Sequence, residues 1–246
     1  MDVMNLDRLP ENAAKRVKPY LEKLIGVYGD KLVSVFAYGS VTGEGYDPRN
    51  SDINLAVVLE EAYLPALKPV LSVVREGFKA GITAPLFLTP TYIKMSLDVF
   101  PIEFDGMRDT RLVLYGKDAL ADISLNGEDI RRECEYQIKG RMVTLRQAYL
   151  EKAAGRRELE GLIKKGVKSL MPVFRALVKL KEGVPEMAND EVLKKLSCGY
   201  GVDTSALGSV LRDAKKDGKI LGVEAEDFLS NLLSCLERLS EAVDRH

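Results

Sequence analysis

The chain has 246 residues, a formal net charge of −1 and 46% hydrophobic residues, enough to bury a substantial core in one or two domains. It has no run of about 20 apolar residues that could span a bilayer and no basic, then apolar, signal sequence. We therefore expect a cytoplasmic protein with no membrane partner. The single histidine is the last residue, which argues against a Ser-His-Asp triad, a Cys-His pair and a histidine-rich zinc site.

The first half of the chain alternates predicted helices and strands. Apolar residues three and four apart predict helices, and short β-branched or aromatic runs predict strands. Thr89 followed by Pro90 is typical of a helix start. The alternation indicates an α/β (α+β) mixed sheet with flanking helices over residues 1–124. The predicted elements are helices at about 17–28, 64–78 and 90–98, strands at 32–38, 53–59, 85–88 and 100–104, and a loop at 41–50.

The second half, residues 125–246, is predicted to be an all-α helical bundle. Its apolar residues recur with helical spacing, and no strand pattern interrupts them. We expect Pro172 to kink or break the second helix, because proline lacks the N–H that a helix interior needs. The predicted helices cover about 130–149, 159–180, a shorter segment beginning at 189–191, and 228–243.

Two short segments nearly form a site for a nucleoside triphosphate and magnesium. The predicted strand 32–38 ends at Gly39-Ser40, a turn small enough to let the backbone and a hydroxyl approach a phosphate. The next strand opens with Asp52-Ile53-Asn54. Since strand side chains alternate, Asp52 and Asn54 share one face at about 7 Å separation, where oxygen ligands could hold a hard cation.

A third acidic residue follows in the predicted strand 100–104. Glu103 lies in that otherwise apolar run and is our preferred candidate, with Asp98 and Asp105 left open as alternatives. This order of features resembles the nucleotidyltransferase superfamily, whose pattern is a Gly-Ser turn, an Asp-x-Asp or Asp-x-Glu strand and a carboxylate on a nearby strand. The helical second half is similar in architecture to that of kanamycin-type antibiotic nucleotidyltransferases.

The resemblance implies a role for each motif residue. Gly39 and Ser40 would contact the β- and γ-phosphates, Asp52, Asn54 and Glu103 would bind Mg²⁺, and Asp52 and Glu103 would be catalytic, with Glu103 a metal ligand or general base. An acceptor hydroxyl would attack the α-phosphate of ATP or another nucleoside triphosphate and release pyrophosphate.

Asn54 departs from the family pattern. Its amide oxygen can coordinate a cation, but it has no negative charge and no second carboxylate oxygen to bridge two metals. Two hypotheses follow. The protein is either an Mg²⁺-dependent nucleotidyltransferase, weakened by Asn54, that modifies a small molecule or a protein, or an inactive nucleotide-binding or partner-binding relative. A homodimer is left open, and nucleic acid is a disfavoured partner.

Lysine and arginine outnumber acidic residues between Arg131 and Lys181. These side chains either lie on solvated faces of helices or form a positive surface that attracts polyphosphate. Lys139, Arg141 and Arg146 are the candidates for reaching a bound triphosphate.

Overall fold

The computed structural model describes residues 5–43, 46–49, 51–152, 156–183, 188–213 and 225–245. The chain divides into two compact units. One comprises Met1–Asp98 and Phe104–Ser124, and the other comprises Val99–Glu103 and Leu125–His246. Each unit has its own hydrophobic core. Among the described residues, no helix is both long enough and apolar enough to cross a membrane.

The first unit is built on a four-stranded mixed sheet in the order β3-β2-β1-β4. The central strand β1 is antiparallel to β2 and β4, whereas β2 and β3 are parallel. Its strands are β1 (Leu32–Tyr38), β2 (Asn54–Leu59), β3 (Leu86–Leu88) and β4 (Leu112–Gly116). The helices along this part of the chain are α1 (Glu11–Tyr28), α2 (Leu64–Leu67), α3 (Leu71–Lys79), α4 (Pro90–Met95) and α5 (Pro101–Thr110).

Helix α1 covers one face of this sheet. Its buried residues recur three and four apart, as the sequence pattern predicts, and they share a hydrophobic cluster with alternate residues of β1 and β2. The sheet residues of that cluster include Val35, Ala37, Leu55, Val57 and Leu59. Because side chains alternate along a strand, Tyr38, Asn54 and Ala56 belong to the opposite face.

The second unit is helical. In the described part of this unit, five helices surround a continuous core of buried aliphatic residues, with Phe174 among the largest fully buried side chains. They are α6 (Gly127–Lys152), α7 (Arg156–Glu182), α8 (Asn189–Tyr200), α9 (Ser205–Asp213) and α10 (Ala225–Asp244). Of the kink or break predicted at Pro172, the break is wrong, because α7 runs through this exposed proline without interruption. The kink stays a prediction.

The strand predicted at residues 100–104 is also wrong. This segment lies in α5, which begins at Pro101. Proline fits the first helical position, where its missing N–H is not needed, and a short apolar run cannot by itself distinguish a strand from a buried helix. The fourth strand is instead β4, which the sequence analysis did not identify.

Other differences are smaller. The predicted helix 64–78 is divided into α2 and α3 by a 3₁₀ turn at Lys68–Val70. Thr89 does cap α4, accepting a hydrogen bond from the N–H of Tyr92. Of the predicted loop 41–50, residues 44, 45 and 50 lie outside the described part of the chain.

Candidate functional site

The Gly39–Ser40 turn follows directly from β1 and is held on two sides. Gly39 has a φ of +77°, a conformation that strongly favours glycine. Its N–H donates to Thr110 Oγ1 at 2.9 Å, and its carbonyl accepts from Thr42 Oγ1 at 2.7 Å. Thr110 Oγ1 in turn donates to the carbonyl of Gly106 in α5 at 2.8 Å. The turn is therefore anchored to the end of α5.

Asn54 is the first residue of β2, beside this turn, and Asp52 lies two residues before it. Asn54 is paired with Tyr38, the last residue of β1, so both belong to one face of the sheet. Asp52 is exposed and Asn54 half-buried, whereas Ile53 and Leu55 between and after them are buried. This alternation is the pattern predicted for Asp52 and Asn54 sharing a face.

The amide of Asn54 is oriented by a neighbouring segment. Its Oδ1 accepts a hydrogen bond from Thr83 Oγ1 at 3.0 Å, and the same hydroxyl also lies 3.3 Å from the carbonyl oxygen of Ile53. Its Nδ2 faces the turn, since a methyl group placed on Gly39 would lie 3.5 Å from it. The structure thus brings Gly39 and Asn54 into proximity, with the amide nitrogen of Asn54 toward the turn.

Two further residues of this sheet face were not identified from the sequence. Tyr38 is half-buried, and burial raises the pKa of its hydroxyl, so the group stays neutral near pH 7. Leu86 of β3 is paired with Ala56, which places it on the face of Asn54, and it is 39% exposed. Single exposed leucines are common on protein surfaces, so no sequence pattern marks Leu86.

The three candidates for a third carboxylate do not lie on a strand. Glu103 is in the first turn of α5 and Asp98 is an exposed residue after α4. Asp105, also in α5, is buried and bonded to Arg108 at 2.6 Å. None of the four described strands contains an aspartate or glutamate. The expected strand carboxylate is therefore missing from this sheet.

Glu103 belongs to the helical unit, where its carboxyl group interacts with that of Glu133 on α6. Glu133 also accepts a hydrogen bond from the backbone N–H of Ile102 at 2.9 Å and one from Gln137 at 2.8 Å. Burial and the nearby Glu103 charge raise the pKa of Glu133 to about 7, against the lowering effect of these two donors. This carboxyl pair is a second ionisable feature, and it lies within the helical unit.

The residues present do not fit a pair of magnesium ions. Such a pair needs several oxygen ligands, with at least one carboxylate bridging the metals. Among the described residues of this sheet face, Asp52 is the one carboxylate. The amide oxygen of Asn54 already accepts a hydrogen bond from Thr83, and Leu86 has no oxygen ligand in its side chain. Within the described ranges, no three histidine, cysteine, aspartate or glutamate residues are grouped so that they could hold a metal ion.

The helical unit has a concave surface of its own, with a volume of about 270 Å³. Its lining includes Arg131, Lys181 and Tyr200. These cations have partners already, since Arg131 bonds Glu128 and Glu135 and Lys181 lies over the Tyr200 ring. Two of the predicted phosphate-reaching cations are also paired within the unit, Lys139 with Glu135 and Arg146 with Glu237.

No protein-family model and no curated protein sequence matches the chain. Among solved structures, seven chains match. One is spectinomycin adenyltransferase AAD(9) from Enterococcus faecialis, solved with ATP and spectinomycin. It is 13% identical, the match covers 94% of this chain and 98% of that chain, and the TM-score is 0.57. At this identity the likeness shows the fold, so the predicted nucleotidyltransferase-like architecture with a C-terminal helical region is confirmed.

Proposed function

We propose that the protein binds a nucleoside triphosphate at the Gly39–Ser40 turn and transfers its nucleotide inefficiently or not at all. The proximity of the turn to the Asn54 amide, beside Asp52, is the observation that carries this proposal. A glycine with no side chain leaves room for a phosphate, and an amide nitrogen donates to its oxygens. The fold similarity supports it, because AAD(9) was solved with ATP.

We expect weak nucleotide transfer because the described part of the sheet face lacks the oxygen ligands that a pair of metal ions needs. In-line transfer needs the attacking and leaving oxygens to be stabilised, and a metal pair commonly does this. Since the residues present do not fit such a pair, no catalytic step is assigned to a metal ion here. The protein would then act as a nucleotide-binding or partner-binding relative of the nucleotidyltransferases.

A second candidate is Mg²⁺-dependent transfer of a nucleoside monophosphate to an acceptor hydroxyl. The observation that favours it is Asp52, an exposed carboxylate two residues before β2. Magnesium is often held by one or two carboxylates together with the phosphates of the substrate. Spectinomycin is the first acceptor to test, because it was present with ATP in the AAD(9) structure.

Calorimetric titration with ATP, combined with a transfer assay, tests both candidates. We expect ATP to bind and label from [α-³²P]ATP to remain in nucleotide when spectinomycin and other acceptors are supplied. Transfer that disappears in Asp52→Ala but persists in the exposed-acid control Asp98→Ala would establish the second candidate instead. Absence of binding by ATP, GTP, CTP and UTP would contradict both.

A further inference from the structure

Asn54 presents a hydrogen-bond donor, rather than a metal ligand, to the Gly39–Ser40 turn. Its carbonyl oxygen is the atom that could coordinate a cation, and it is engaged by the Thr83 hydroxyl at 3.0 Å. Its Nδ2 lies toward Gly39, within 3.5 Å of where a methyl group on that residue would be. An N–H group repels a metal cation but donates to an anionic oxygen.

The surroundings favour direct use of this donor. The N–H of Gly39 is already committed to Thr110, so it is not available to a phosphate in this arrangement. Leu86 supplies no charge from β3, so that strand cannot help to hold a bridging cation. Asn54 is half-buried, and partial removal from water strengthens a hydrogen bond between an amide and a charged oxygen.

We propose that Asn54 Nδ2 donates directly to a phosphate oxygen of the bound nucleotide, and that nucleotide affinity therefore does not depend on a divalent cation. This inference rests on the nucleotide binding proposed above. Thr83 is the positioning residue, because its hydroxyl lies 3.0 Å from the amide oxygen of Asn54, closer than the 3.3 Å to the carbonyl oxygen of Ile53. The expected occupant is a nucleoside triphosphate without a required metal ion.

Titration of ATP into the full chain, once with excess Mg²⁺ and once with EDTA, tests the proposal. We expect the two dissociation constants of the unmodified protein to agree within about threefold. Asn54→Asp keeps the shape of the side chain but replaces the donor by a negative charge. It should weaken ATP binding in EDTA by about tenfold or more and recover part of the loss with Mg²⁺.

A second set of variants tests the positioning role. Thr83→Val removes the hydroxyl and should weaken ATP binding in EDTA several-fold, whereas Thr83→Ser keeps it and should restore the affinity. Thr91→Val, at an exposed position of α4, is the matched control and should bind as the unmodified protein does. Thermal unfolding of each variant identifies any loss of binding that comes from misfolding.

The outcomes separate this inference from the proposed function. ATP binding that requires Mg²⁺ would overturn metal-independent recognition while leaving nucleotide binding in place. Equal affinities of the unmodified protein and folded Asn54→Asp in EDTA would show that Asn54 does not donate to the nucleotide. No ATP binding in either buffer would overturn the proposed function and this inference together.

Discussion

Asn54 is the residue at which the sheet face departs from the expected pair of carboxylates. A carboxylate at this position would add one negative charge and a second oxygen ligand, whereas the amide places a nitrogen toward the turn. The sequence shows the substitution directly. It does not show that Thr83 holds the amide oxygen, because Thr83 is 29 residues away and meets Asn54 only when the sheet forms.

Gly39 was also identifiable from sequence as a turn residue, and its conformation makes a specific prediction. Gly39→Ala forces a positive φ on a residue with a Cβ and puts that atom beside Asn54 Nδ2. We expect a loss of about 1–2 kcal/mol in the free energy of unfolding, together with weaker ATP binding. Urea denaturation followed by circular dichroism measures the first effect and calorimetry the second.

Gly26→Ala is the matched control for this substitution. Gly26 lies in the interior of α1, without a positive φ and with nothing within 4 Å of an added Cβ. Alanine there should raise the free energy of unfolding by up to about 1 kcal/mol and leave ATP binding unchanged. Similar destabilisation by both substitutions would contradict the special role of the Gly39 conformation.

At the scale of elements, the long helices, the central strands and the short elements β3 and α4 could be predicted from sequence, whereas α5 and β4 could not. The observed β1 has the predicted bounds, and α6, α7 and α10 agree with the predicted helices to within a few residues. Their apolar periodicity extends over enough residues to identify them. The segment around Glu103 offered only a short apolar run, so its helix was predicted as a strand and β4 went unrecognised.

The contact between α5 and α6 makes stability depend on pH. The folded-state pKa of Glu133 is about 7 and its ordinary value is 4.5, so the folded protein binds this proton more tightly. Stability is then highest below about pH 4.5 for this group and falls as the pH rises toward 7. After allowance for solvent screening of this half-buried group, we expect a fall of about 1–2 kcal/mol between pH 5 and 8.

Glu133→Gln should lack this fall, because glutamine does not ionise and can still accept from the N–H of Ile102. Glu103→Gln removes the neighbouring charge but leaves burial in place, so it should show an intermediate fall. Urea denaturation at pH 5 and pH 8 measures both effects. Parallel pH dependence in the unmodified protein and in Glu133→Gln would show that Glu133 is not the group responsible.

At the scale of the whole molecule, the fold was more accessible to sequence reasoning than the site. Alternating helices and strands followed by helices alone are enough to indicate the architecture, which is shared with AAD(9) at 13% identity. The site combines segments that are distant in the chain. The hydrogen bond from Gly39 to Thr110 joins residues 71 positions apart, and no local sequence pattern predicts such a contact.

In the proposed complex, a nucleoside triphosphate lies against the Gly39–Ser40 turn. A crystal structure with a nonhydrolysable ATP analogue tests this most directly. We expect phosphate density beside the turn, with a phosphate oxygen about 3 Å from Asn54 Nδ2. Analogue bound only in the concave surface lined by Arg131 and Tyr200, or a turn without density at saturating analogue, would contradict it.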